Sequence, residues 1–437
     1  MDHPPLNSGP VAGELAEEIA ATGFPLVKGL VRLLLDRMTP QCTFLAVCPN
    51  SRAVTRAALM AAAEAGAPLL FAATLNQVDL DGGYTGWTPR AFVDFVAEEA
   101  ALLGCDTLVL PCLDHGGPWL KDGHARKGYT LEATTEAVKR SLEACIDAGY
   151  ALLHLDPTVD PTRRPLPVEL VVERTLDLLA HAEAYRRHQG LPPISYEVGT
   201  EEVHGGLAHL EAFEAFLRGL DQGLRARNLE AAWPAFVVGK VGTDLHTSYF
   251  DPVTARQLSE MVRPYGGVIK GHYSDYVDNP DDYTLSGIGG ANVGPEFTEE
   301  EYLALMDLVS LEQKIGHHSR LDVALAQAVV RSGRWQKWLQ PDEEGHPFEA
   351  LREIRQHWLI RTGSRYVWQE QEVVEARAEL YANVRRYRDG ESYVLWRIKR
   401  AILRYYQLFN LVGFNQALLA HDPGRSTPSP KGTRKHS

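Results

Sequence analysis

Positive charge is what this sequence is short of. Its 44 Lys and Arg face 57 Asp and Glu, a formal net charge of −13. A nucleic-acid binder presents a basic face to phosphates, so this balance argues against that class, although a pocket can still be locally basic. Cysteine is scarce too: Cys42, Cys48, Cys105, Cys112 and Cys145 are odd in number and show no Cys-x-x-Cys spacing. They read as small, mostly core residues of a protein in a reducing compartment. Long apolar runs are missing as well. The stretch 24–35 is interrupted by Lys28 and Arg32 and is too short to cross a bilayer. Met1-Asp2-His3-Pro4-Pro5 lacks the basic start of a signal peptide. The expectation is a cytoplasmic protein with neither a nucleic-acid nor a membrane partner.

What is present is a chain of 437 residues, 45% hydrophobic and 23% charged, enough to bury a large core. From about residue 43, apolar runs alternate with amphipathic segments, as in repeated βα units. The runs at 43–49, 69–74, 107–113, 151–155, 194–198, 235–241, 267–271 and 286–293 are strand candidates. Helical patterns fill 52–65, 89–104, 131–148, 167–189, 207–225, 252–262 and 298–313, with Thr88-Pro89 and Asp251-Pro252 as start signals. Such an alternation predicts an α/β fold, a (β/α)8 TIM barrel, whose chemistry sits on the loops after the strands. An open doubly wound sheet often carries a Gly-rich phosphate turn after its first strand. Here that position reads Cys48-Pro49-Asn50-Ser51, with no glycine. The expected organisation is capping helices over 1–42, the barrel over 43–317, a helical C-terminal extension over 318–421 and a flexible tail over 422–437. The extension, with helical patterns at 320–339, 348–360, 369–387 and 393–419, would pack on the barrel or on another subunit of a homo-oligomer.

Chemistry should then be read at the strand ends. The third candidate strand breaks into Asp114-His115-Gly116-Gly117-Pro118, an acid beside a potential metal ligand. Neighbours on a strand point to opposite faces, but a Gly-rich exit can turn both toward one cavity. Asp244-Leu245-His246 and Gly271-His272-Tyr273-Ser274-Asp275 follow later runs in the same way. Three imidazoles from three strand ends can converge on one divalent ion, with Glu201 able to complete the shell. Such an ion polarises a carbonyl, and a neighbouring acid such as Asp114 moves protons.

Blander readings stand beside these. Any one of the 16 histidines is more often a surface or hydrogen-bonded residue than a ligand. His154 ends an apolar run and reads equally as a core or supporting residue. His204, in a Gly-flanked loop, reads as a plain loop residue or a ligand, and His317-His318 reads as solvated. The loop Gly82-Gly83-Tyr84-Thr85-Gly86 is a tight turn or, with Asn76 and Gln77, a substrate contact. Lys121, Arg126, Lys127, Lys240 and Lys270 suit a phosphate or the surface equally, and Lys240 or Lys270 could form a Schiff base.

Asn76-Gln77-Val78 followed by Gly82-Gly83-Tyr84-Thr85-Gly86-Trp87-Thr88-Pro89 resembles a long, specific block of the tagatose-bisphosphate aldolase non-catalytic (accessory) subunit family. Asp114-His115-Gly116-Gly117-Pro118, His154-Leu155-Asp156, Gly199-Thr200-Glu201, Asp244-Leu245-His246 and His272-Tyr273-Ser274-Asp275-Tyr276 resemble its later motifs in the same order, over about 43–295. The resemblance implies a class II aldolase-like barrel with a divalent metal. It makes Asp114 the acid/base, His115, His246 and His272 ligands, and Glu201 a further ligand. The metal would be zinc, or else nickel, manganese or cobalt. The chain departs from the family pattern at Glu201-Glu202-Val203-His204-Gly205-Gly206 and at Gly289-Gly290-Ala291-Asn292-Val293-Gly294-Pro295, and it is longer over 276–292.

These departures favour an enzyme working alone on an uncharged or singly charged ketose over a bisphosphate aldolase subunit. The expected activity is therefore a metal-dependent ketose 4-epimerase of the tagatose/fructose kind, acting by retro-aldol cleavage and re-addition on a ketose sugar or sugar phosphate. Asp114 would shuttle the proton, with Glu201 or Asp156 as a second acid/base, while Asn76, Gln77, Tyr84 and Asp275 orient the sugar. The alternatives are the aldolase or its accessory subunit, and a chaperone-like partner of a separate catalytic chain.

Overall fold

The fold is a computed structural model, described over residues 5–38, 41–163, 165–199, 209–243 and 248–420. Helices α1 (Pro10–Ala20) and α2 (Leu26–Arg37) precede eight strands: β1 (Phe44–Val47), β2 (Leu69–Thr74), β3 (Val109–Gly116), β4 (Leu152–Leu155), β5 (Ser195–Gly199), β6 (Phe236–Val238), β7 (Val268–Gly271) and β8 (Ile288–Val293). All neighbours are parallel, and β8 pairs back onto β1, so the sheet closes into a barrel in sequence order. Around it lie α3 (Arg52–Ala65), α4 (Pro89–Leu103), the short α5 (Asp122–Arg126), α6 (Leu131–Ala148), α7 (Val168–His188), α8 (Leu210–Ala226), α9 (Pro252–Val262), the short α10 (Asp282–Leu285) and α11 (Pro295–Lys314). The expected (β/α)8 barrel is therefore what the chain forms.

Local chemistry accounts for the limits of these elements. Thr88 accepts the Ala91 N–H and Asp251 accepts those of Val253 and Thr254, satisfying first-turn donors that have no helical partner. Helices α3, α4 and α6 all stop at a left-handed glycine, at Gly66, Gly104 and Gly149. Strand β3 runs past its expected end at Leu113 and carries Asp114, His115 and Gly116 within it. Strand β6 is shorter than the 235–241 run suggests.

After the barrel come α12 (Leu321–Ser332), α13 (Glu353–Gly363), α14 (Gln371–Val384), α15 (Gly390–Leu408) and α16 (Phe414–Leu419). The single helical pattern at 393–419 divides because Asn410 and Gly413 take left-handed backbone angles between α15 and α16. Helix α15 packs against α3 and α11. The chain after it closes the base of the barrel: Phe409 accepts the Thr43 N–H, and Asn415 Nδ2 donates to Thr107 Oγ1, just ahead of β1 and β3. From the other terminus, Lys28 on α2 gives its backbone N–H to Ser195 Oγ and its ammonium to the Trp233 carbonyl, at the starts of β5 and β6. No helix of the described residues is long and apolar enough to cross a membrane.

Candidate active site

At Asp114-His115 the strand departs from simple alternation. The β3–β4 register shifts between Leu113 and Gly116, and His115 has φ +49°, an angle that side-chain-bearing residues seldom adopt. This bulge brings two successive side chains to the same side. Two glycines make it possible. A Cβ on Gly116 would lie 2.7 Å from the His154 carbonyl oxygen, and one on Gly117 only 1.6 Å from that of Asp156. Backbone approaches this close exclude a side chain.

The turned residues meet side chains from β4, β5 and β7. Asp114 Oδ1 is 3.1 Å from His154 Nδ1 and 3.8 Å from His272 Nε2. Glu197 Oε1 is 3.0 Å from His272 Nε2 and 3.7 Å from His154 Nδ1. These four donor atoms all lie within 4.8 Å of one another, and all four residues are buried. His115 stands beside them, its Nδ1 2.6 Å from Asp156 Oδ2 and its Nε2 3.9 Å from Asp114 Oδ2. Lys270 Nζ lies 2.6 Å from Glu197 Oε2, and Asn292 Nδ2 donates to Asp114 Oδ2 over 3.2 Å.

The donor set fits a divalent cation. His154 Nδ1 accepts the backbone N–H of His115 at 3.1 Å and also faces one carboxylate oxygen each of Asp114 and Glu197. Two buried carboxylates meeting two imidazoles carry more negative charge than the Lys270 ammonium alone offsets, and a divalent ion among them would balance it. Imidazole and carboxylate together suit zinc and its first-row neighbours.

Electrostatics hold the acids of this cluster ionised. Burial would raise the Asp114 carboxyl, but His115, His272, His154 and Lys270 hold it well below the usual carboxylate range. Burial opposes ionisation of Glu197 as well, yet Lys270, His154 and His272 bring it down to about 2. For His115 burial favours the neutral ring, while Asp114 and Asp156 push it up to about 9. Burial leaves His272 below the ordinary imidazole value. Lys270, buried but facing Glu197 and Asp114, is raised above the usual ammonium range. An ammonium so firmly protonated is poorly suited to Schiff-base chemistry.

Above the cluster lies a cavity of about 450 Å³. Asp114, His115 and His272 line its floor, with Asn76, Gln77, Tyr84 and Asp275 on its walls. Lys337, Trp338, Arg365 and Tyr366 from the C-terminal helical region line it too. The wall residues are themselves tied down. Asn76 donates to the Leu120 carbonyl and accepts the Asp122 N–H; Gln77 accepts the Thr74 N–H and donates to Asn50 Oδ1, which also takes the Tyr84 hydroxyl. Asp275 Oδ1 accepts the N–H groups of Gly294 and Glu296 at the start of α11. Burial pushes the Asp275 carboxyl up to about 7. Gly83 is required for the turn, since a Cβ there would sit 2.2 Å from the Gln77 carbonyl oxygen.

Of the residues expected at the metal, His115 and His272 are brought together, while His246 and Glu201 lie outside the described residues, as does His204. Asp114 is in the cluster and Asp156 supports His115. His317 and His318 are exposed, as are Arg126 and Lys127, and Lys121 is tied to Asp79 and Asp81. Glu197 is a member of the cluster that no strand-end motif marks, and His154 joins it from within an apolar strand. The signal for both was a charged or polar residue inside an apolar strand, which is seldom fully buried without a partner.

Together these features define a parallel (β/α)8-barrel protein with a buried imidazole–carboxylate centre, able to hold a metal, beneath a cavity at the strand ends. The chain belongs to the D-tagatose-1,6-bisphosphate aldolase subunit GatZ/KbaZ-like family, whose model matches residues 33–396. The resemblance carried by the 76–89 block is thereby borne out. Among solved structures it is similar to a protein of Sinorhizobium meliloti 1021 described as a probable tagatose 6 phosphate kinase. The two share 23% identity over 84% of this chain and 100% of that one, with a TM-score of 0.69. It is also similar to the fructuronate-tagaturonate epimerase UxaE of Cohnella laeviribosi, at 10% identity over 85% and 81% of the two chains and a TM-score of 0.52. Both are likenesses of fold.

Proposed function

We propose that this chain is a metal-dependent ketose 4-epimerase working by retro-aldol cleavage and re-addition. The observation that carries the reading is the placement of Asp114 at the edge of the buried cluster, on the floor of the cavity. A divalent ion held by His154, His272, Glu197 and Asp114, with His115 and the undescribed His246 and Glu201 as further candidates, would polarise the ketose carbonyl. Asp114 Oδ2 takes the proton of the C4 hydroxyl, and the C3–C4 bond breaks to leave an aldehyde and an enediolate. The aldehyde turns its other face, C3–C4 re-forms, and Asp114 returns the proton to the inverted C4 oxygen. Asp156 fixes the His115 ring, and Glu201 is a candidate second acid/base. Tyr84, Asn76, Gln77 and Asp275 shape the walls against which the sugar is oriented.

Epimerisation requires that neither fragment leave before recombination. Trp338, Arg365 and Tyr366 over the strand ends supply a cover suited to that retention. The test is a carbon-resolved NMR assay of the metal-loaded protein on ketoses, ketose phosphates and ketouronates. C4 inversion, lost at least 1000-fold in Asp114→Asn, is the expected result. Family membership favours a second reading, an aldolase or its subunit. Release of triose phosphate from a ketose bisphosphate, without epimer, would establish it instead.

A further inference from the structure

Among the described residues one lysine and one arginine line the cavity, and they differ in one respect. Lys337 is spent on Asp122, which also takes Arg334. Arg365 has no carboxylate within ion-pair distance among the described residues. Its one hydrogen bond there runs from Nε to the Thr362 carbonyl over 2.8 Å, and its Nη2 has no partner. The side chain is nevertheless only 6% exposed. Its guanidinium is held between rings, 4.8 Å from the centroid of Trp338 and 5.8 Å from that of Tyr366. On the same cavity wall, Asp275 Oδ1 accepts two backbone N–H groups, and burial pushes its carboxyl up although Arg365, outside ion-pair distance, pulls it down.

A buried, unpaired guanidinium is costly unless something anionic completes it. Aromatic stacking fixes its plane in advance and leaves the fork of N–H groups for a bidentate partner. The cavity is thus polarised, with carboxylates and imidazoles on its barrel floor and a free cation where the C-terminal helices cover it. We infer that Arg365 is an anion-recognition residue, and that the substrate is a ketose bearing a phosphate or carboxylate group that this guanidinium holds while the carbonyl end faces Asp114 and the histidines. This rests on the ketose reading above and deepens it by naming the substrate class.

Calorimetry of the metal-loaded full chain with sorbitol, sorbitol 6-phosphate and gluconate tests it, because none of these probes carries the ketone that turnover requires. At least one anion should bind roughly ten- to hundredfold tighter than sorbitol. Preference for the phosphate ester assigns a sugar phosphate, and preference for gluconate assigns a sugar acid. Arg365→Gln should erase the preference while sorbitol binding persists. If that variant does not fold, Arg365→Lys, which keeps the charge and loses the fork, should reduce the preference about fivefold or more. Equal binding of all three probes by the wild type, or an unchanged preference in the variants, overturns the inference. Anion preference without epimer formation overturns only the epimerase reading. Turnover of a neutral ketose without anion preference overturns only the role of Arg365.

Discussion

His115 Nδ1 and Asp156 Oδ2 lie 2.6 Å apart, and this contact orients the imidazole at the strained exit of β3. Asp156 is itself held by the hydroxyl of Thr158. Carboxylates that steer an imidazole in this way tune metal affinity without touching the metal. Asp156→Asn is expected to lower divalent-metal affinity by roughly 10- to 100-fold while the far-ultraviolet spectrum stays unchanged. Competition with a chromogenic chelator measures it, and unchanged affinity would remove the ring from the metal's surroundings.

Stripping the protein with a chelator should abolish turnover and lower the melting temperature. Four buried donors would then face one another without their cation. Re-addition of zinc, nickel, manganese and cobalt in turn should restore both, and the ranking of the four identifies the native ion. A stripped protein with full activity would sink the metal reading.

Gly117 offers a structural test of the bulge. An alanine there would place Cβ 1.6 Å from the Asp156 carbonyl oxygen, a backbone atom that cannot swing aside. Gly117→Ala should cost roughly 3 kcal/mol or more in urea unfolding and reduce turnover together with it. Gly123, with open space around its Cβ position, is the control.

Glu301 predicts the pH dependence of stability. It is buried on α11 against the Ser51 hydroxyl, with Arg377 3.8 Å away, and burial pushes its carboxyl up to about 7. The folded state therefore holds a proton that the unfolded chain releases near 4.5. Stability from this group is complete below the unfolded value and is lost as pH rises through 7. Glu301→Gln should stabilise the protein by about 2 kcal/mol at pH 8 and have little effect at pH 4.5, as read from urea midpoints.

The barrel was legible because its strands are short apolar runs between turn residues, and the helices at 89–104 and 252–262 carried start signals at Thr88 and Asp251. The Asp114-His115 pairing could be read as well, since only a glycine-rich exit allows two successive side chains to share a face. The depth of the charged cluster could not. Glu197, His154 and Lys270 sit in apolar strands, and their mutual neutralisation depends on barrel closure, which no local spacing encodes. The roof was hidden for a different reason. Arg365 and Tyr366 reach a wall built by Tyr84 from a distant part of the chain, and a distance of that kind leaves no periodic trace.

Arg334 rests against Tyr84 at 5.2 Å and Tyr366 at 4.7 Å, bracing a barrel loop against the covering helices. A chain emerging from the ribosome completes all eight strands well before it supplies this brace. Until α15 arrives, the apolar sides of α3 and α11 that it will cover stand open to other chains. The interval between strand closure and helix docking is thus when this protein is most exposed to aggregation, and when a chaperone would have most to hold.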